Sequence, residues 1–141
     1  MRVRYSSVKD VRMSPRDKIE SFLVKLTLSF QAAAPNTWLV RDAQKGLENL
    51  LIVLAEPLVI MRIHVMEVPA VGKEKLFEEL LRLNATDMVH GAYAVDGTNI
   101  VIIDTLEAEP MDLEEFEASI DAIGLALAQH YRPLSKYRVK A

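Results

Sequence analysis

Histidines stand at positions 64, 90 and 130, each without a second histidine two or four residues away. A metal site would need them to converge in space with carboxylates, so a satisfied or exposed histidine is the simpler reading. Asp104 ends an apolar run and is the carboxylate that could be held in its acid form, as a partner for His90 or His130 in proton transfer. An exposed strand end is the simpler explanation. The sequence contains no GxSxG, HExxH, Walker or GxGxxG pattern, and the glycines at 46, 72, 91, 97 and 124 are scattered as turns or close-packing positions. Without cysteine there is no thiolate nucleophile, disulfide or cysteine-held metal. No catalytic, cofactor or metal site is expected, and the protein is not expected to be an enzyme.

Charge narrows the partners. The chain has 141 residues, a net charge of −3 and a pI of 5.6, so no global basic field recruits nucleic acid. Arg2, Arg4, Lys9, Arg12, Arg16 and Lys18 crowd the start, while Glu107, Glu109, Asp112, Glu114, Glu115 and Glu117 crowd a later stretch. Either these are two solvated segments, or one complements the other within a chain or between two chains. Arg2 and Arg4 beside Tyr5 could touch phosphates, but a basic arm without a basic groove carries little weight. The start lacks the apolar core and small-residue cleavage site of a signal peptide, so the expected location is the cytoplasm.

The elements that must position everything else centre on Leu47–Val68. Two apolar runs, Leu50–Ala55 and Leu58–Met61, flank Glu56-Pro57 and are too short for ordinary helices. The second continues by alternation, with Val59, Met61, Ile63 and Val65 on one face and Ile60, Arg62, His64 and Met66 on the other. Glu48, Glu56, Pro57, Arg62 and His64 rule out a spanning helix, which needs about 20 mostly apolar residues.

Upstream, Ser14-Pro15-Arg16-Asp17 opens a helix with a cap and a proline at its first position. Ile19, Phe22, Leu23, Leu26 and Phe30 form its buried stripe, and Ala32–Pro35 ends it. Thr37–Arg41 is a short strand, and Trp38 is a core anchor. Downstream, Lys73–Leu83 is a helix closed by Asn84 as a left-handed cap. Val89–Val95 and Thr98–Thr105 are strands joined at Asp96-Gly97. Asp112 and Glu115 form a capping box for a helix whose stripe is Leu113, Phe116, Ile120, Ile123, Leu127 and Tyr131, ended before Pro133.

The expected fold is α+β in the order α-β-β-β-α-β-β-α, a five-stranded antiparallel sheet with helices packed on it. The expected organisation is a mobile basic arm at 1–13, a single domain at 14–132 and a short basic tail at 133–141.

Residues Leu80–Tyr131 carry a resemblance. The "LLRLN" helix end, the small-residue strand at His90–Ala94, the Asp-Gly hairpin and "MDLEEFE" leading to a helix ending in "HY" are similar to the YbjN-like and CesT/Tir-chaperone-like families, the type III secretion chaperone-like fold. The order of elements over Ser14–Tyr131 matches as well. The resemblance implies a homodimer whose interface draws on Phe77, Leu80, Leu81 and Leu83. It also implies an apolar patch, drawing on Val24, Leu28, Ile60 and Met66, that holds an extended segment of a protein partner. Met61, Met66 and Met88 suit an adaptable surface or a core. The pI of 5.6 is less acidic than is typical of secretion chaperones and the basic arm is extra. A regulatory adaptor that binds a folded protein is therefore the alternative. No cofactor, nucleic acid or membrane insertion is implied.

Overall fold

The computed structural model describes residues 13–138. Residues 1–12 of the arm expected at 1–13, and the last residues, 139–141, lie outside the described residues. The elements are α1 (Pro15–Lys25), β1 (Ser29–Ala34), β2 (Thr37–Asp42), β3 (Leu47–Ala55), β4 (Leu58–Glu67), α2 (Lys73–Thr86), β5 (Ala92–Asp96), β6 (Asn99–Glu107) and α3 (Leu113–Ser135). One antiparallel sheet of six strands runs in the order β1-β2-β3-β4-β6-β5. The α+β class, the antiparallel sheet and the three helices agree with the sequence. The sixth strand does not.

That strand, β1, was expected as the end of the first helix. The helix stops at Leu26 because Thr27 turns left-handed, at φ 55°. Leu28 N–H then donates to Leu23 C=O at 3.1 Å and Thr27 N–H to Val24 C=O at 3.0 Å. This pair of bonds is a Schellman closure, with Leu28 brought against Leu23. Glycine usually marks it. Threonine in that conformation is uncommon, so the stop signal was hidden. Pro35-Asn36, with Asn36 at φ 57°, is the tight turn of the β1–β2 hairpin.

Alternation in the sheet matches the sequence. Trp38 and Val40 of β2, Leu50, Ile52 and Leu54 of β3, Val59, Met61 and Ile63 of β4 and Ile100 and Ile102 of β6 are buried. They form one cluster with Ile19, Phe22 and Leu23 of α1, Leu76 and Leu80 of α2, and Phe116, Ile120 and Ile123 of α3. Burying each large apolar side chain is worth about 1.5–3 kcal/mol, so this shared layer fixes helices to sheet. Trp38 is an anchor as expected, with its indole N–H on Glu20 at 2.8 Å. The helix starts also hold. Ser14 accepts from Asp17 N–H at 3.1 Å, and the Asp112–Glu115 box is closed at 2.7 and 3.0 Å.

Further boundaries move. β5 begins at Ala92 and not at Val89, which is exposed. Asn84 lies inside α2 and does not end it. Helix α3 runs through Pro133 to Ser135, where Ser135 Oγ donates to Tyr131 C=O at 2.6 Å and Leu134 is buried. Burial of Leu134 and that hydroxyl bond hold a turn that lacks the proline N–H. The stripe of α3 correspondingly ends on His130 and Leu134, and Tyr131 is 58% exposed.

Candidate functional site

The residues able to do chemistry are used as struts. His130 is buried on α3, with Nδ1 2.7 Å from the Tyr93 hydroxyl and Nε2 2.9 Å from Asp87 at the end of α2. Burial first, and then the nearby Asp87 charge, push the Tyr93 hydroxyl far above its usual range, so it is a neutral hydrogen-bonding group. The hydrogen bond from His130 holds the Asp87 carboxyl below its usual value. This chain ties α2, β5 and α3 together. His130 therefore meets Asp87, not Asp104. Asp104 instead accepts from Thr105 N–H at 2.9 Å, its other oxygen buried without a partner among the described residues. His64 is exposed on β4 against Asn99 at 3.0 Å, and His90 is half-buried. Among the described residues no group of three histidines or carboxylates could hold a metal.

The sheet's two edges differ. At β5, the Asn84 side chain accepts from Tyr93 N–H at 2.8 Å and donates to Tyr93 C=O at 3.2 Å. An amide side chain thus occupies the place of a neighbouring strand and blunts the edge. The sequence suggests a helix cap at Asn84, and the packing of α2 beside β5 gives it this other use. At β1 no such plug is present among the described residues, and the strand, SFQAAA, carries no charge and is mostly exposed. Beside its start lies a shallow groove of about 660 Å³, lined by Val24, Leu28, Phe30 and Arg41 among others.

The expected partner patch divides accordingly. Val24, 64% exposed, and Leu28 meet in the β1 groove, although Leu28 itself is buried by the Schellman contact. Ile60 is half-buried on the outer sheet face. Met66 is a core residue, because a register shift between His64 and Met66 turns the end of β4 and places both Val65 and Met66 inside. Of the expected dimer residues, Phe77, Leu80 and Leu81 line a cleft of about 260 Å³ together with Tyr93 and Val95. Leu80 is buried, Leu81 is 68% exposed, and Leu83 is half-buried against the core. Met61 is fully buried and Met88 packs against the core.

A model of the CesT_Tir_1 family matches residues 13–140. The chain belongs to the CesT_Tir_1 family. Solved structures share its fold at low identity. YbjN from E. coli, described as a candidate transcription regulator, superposes with a TM-score of 0.67 at 17% identity, over 84% of this chain and 92% of YbjN. A chain of the heterodimeric ExoU–SpcU complex from the type III secretion system of Pseudomonas aeruginosa gives 0.65 at 15% identity, over 79% and 93%. A chain of the HopA1–SchA chaperone–effector complex gives 0.62 at 11% identity, over 87% and 98%. No curated protein matches the chain. Membership of the family agrees with the resemblance seen in Leu80–Tyr131. Among the described residues no helix is long and apolar enough to cross a membrane.

Proposed function

We propose that the protein is a non-enzymatic, dimeric, chaperone-like binding protein of the cytoplasm that holds an extended segment of a protein partner along β1. The observation that carries this reading is the contrast between edges: β5 is plugged by Asn84, whereas β1, six residues without a charge, has no such plug among the described residues and runs beside a groove that Val24, Leu28 and Phe30 help to line. An exposed edge of this kind is a template for strand addition, where backbone bonds give affinity and side-chain pockets give selectivity. Family membership and likeness to chaperone–effector complexes support the same role. His130 is taken up in hydrogen bonds to Tyr93 and Asp87 that tie elements together.

Dimerisation falls on the α2–β5 surface in this reading. Leu81 and Val95 are exposed apolar side chains at the mouth of the cleft that Phe77 and Leu80 line. A paired copy would cover them. Light scattering on the eluting protein tests this part. A mass twice the 15.9 kDa of one chain is expected, falling to one chain in Leu81→Asp with its circular dichroism unchanged. An undiminished Leu81→Asp dimer would reject the surface. Partners are tested by capture from the lysate of the source organism followed by limited proteolysis. A short protected segment of the partner supports the chaperone-like role, and a folded globular partner supports a regulatory adaptor in its place.

A further inference from the structure

The β3–β4 ladder runs from Ala55↔Leu58 to Leu51↔Arg62 and stops. Beyond that point both strands continue apart. β3 reaches Leu47 beside β2, through Val40↔Leu50 and Asp42↔Leu47. β4 reaches Glu67 beside β6, through Ile63↔Ile102 and Glu67↔Asn99. Two central strands thus separate along Leu47–Leu50 on one side and Ile63–Glu67 on the other. A cavity of about 450 Å³ occupies the gap, with Glu48 and Asn49 on one wall, Ile63 and Val65 on the other, and Leu127 and Tyr131 of α3 as its floor. That volume lies within the range of ligand sites, about 300–1,000 Å³.

Among the described residues, the gap leaves backbone groups of central strands without the neighbour they would ordinarily have. Val65 is the plainest case. The register with β6 skips it, and its carbonyl accepts from Arg138 Nη1 at 3.0 Å. A side chain there stands in for a missing strand. The Arg138 guanidinium lies over the Tyr131 ring, 5.0 Å from its centroid, and its Nε is buried with no acceptor among the described residues. A planar cation with a donor to spare suits a carboxylate.

We propose that this slot binds a short extended peptide, about four residues long, which adds to the open side of β4 and sets one acidic side chain on Arg138. The length follows from the unpaired stretches of four and five residues, about 15 Å at 3.3 Å per residue. An extended peptide supplies donors and acceptors at the strand period, and one apolar side chain would lie over Leu127. Glu48 on the opposite wall disfavours a segment acidic throughout. The proposal rests on the protein's being a binder of extended segments, and it adds a seat separate from β1.

The test is selection of a random peptide library displayed on phage against the full chain, followed by affinities of enriched peptides for three variants. Ala128→Trp fills the floor from an exposed position on α3, Arg138→Ala removes the cation, and Val24→Asp spoils the β1 groove. The slot predicts peptides with one acidic residue that lose all binding to Ala128→Trp. Their affinity for Arg138→Ala falls about tenfold or more, the scale of a charged hydrogen bond, and they bind Val24→Asp normally. Amide resonances of Ile63–Met66 shift on their addition. Peptides that bind Ala128→Trp normally and fail on Val24→Asp would overturn the slot and leave the reading at β1 standing. A library with no enriched peptide would count against both.

Discussion

Replacing Gly124 with alanine is expected to destabilise the protein, against the rule for helices. In an open helix interior the change gains about 1 kcal/mol. Here an added Cβ would stand 2.4 Å from the Lys45 carbonyl oxygen and 3.9 Å from Leu47 Cδ2. Real contacts of this kind stay beyond 3.0 Å, so α3 and the β2–β3 turn would have to separate by at least 0.6 Å (3.0 − 2.4). The turn is held against retreat by Lys45 N–H on Asp42 C=O at 3.2 Å and Gly46 N–H on Ala43 C=O at 3.1 Å. The Lys45–Asp121 ion pair, at 2.7 Å, bridges the same contact. Overpacking costs about 1–3 kcal/mol, and a backbone neighbour belongs in the upper part of that range. The clash therefore outweighs propensity by about 1–2 kcal/mol. For 141 residues the unfolding entropy near the midpoint is about 0.3 kcal/mol/K, so Tm should fall by about 3–7 °C. Circular dichroism melts at one fixed protein concentration read this, since association also shifts Tm. A Gly124→Ala protein with a raised Tm would refute the close approach of helix and turn.

Three further outcomes follow from the struts and the plugged edge. Tyr93→Phe leaves His130 Nδ1 buried without its partner and should cost about 1–3 kcal/mol in urea unfolding; an unchanged midpoint would remove the hydroxyl from the network. Asp87 has a folded pKa below its unfolded value of 3.8, so its contribution is fully present above that value and is lost as pH falls through the lower folded pKa. The stability gap between wild type and Asp87→Asn should then stay constant through the mildly acidic range and close only below pH 3.8, and a gap that closes near neutrality would contradict the assignment. Asn84→Leu exposes Tyr93 N–H and C=O and should make β5 sticky, read as higher-order species in light scattering beyond any dimer. Sharp, unchanged elution would show that the plug is dispensable.

The legible parts of the fold were those where local chemistry and packing agree. The Asp112–Glu115 box, the Ser14 cap and the alternation of Val59, Met61 and Ile63 all appear where spacing placed them. β1 was missed because Thr27, with no glycine to announce a left-handed turn, let a helical stripe run on to Phe30. Strict alternation places Met66 on the outer face, and the register shift between His64 and Met66 turns it inward. The candidate surfaces were half legible. Leu81 and Val24, both expected on binding surfaces, are exposed, whereas Leu28 is taken by a helix closure. Asn84 at the β5 edge, the Asp87–His130–Tyr93 chain and the β3–β4 gap join residues from separate elements, and nothing in local sequence announces such meetings.

The central claim is that an extended partner segment pairs with β1, and hydrogen exchange on the chain alone and with a captured partner bound tests it most directly. Protection should appear in the amides of Ser29–Ala34 and in one short stretch of the partner, while β5, already bonded to Asn84 and β6, stays unchanged. Unaltered exchange in β1, with protection spread across a folded surface of the partner, would contradict it.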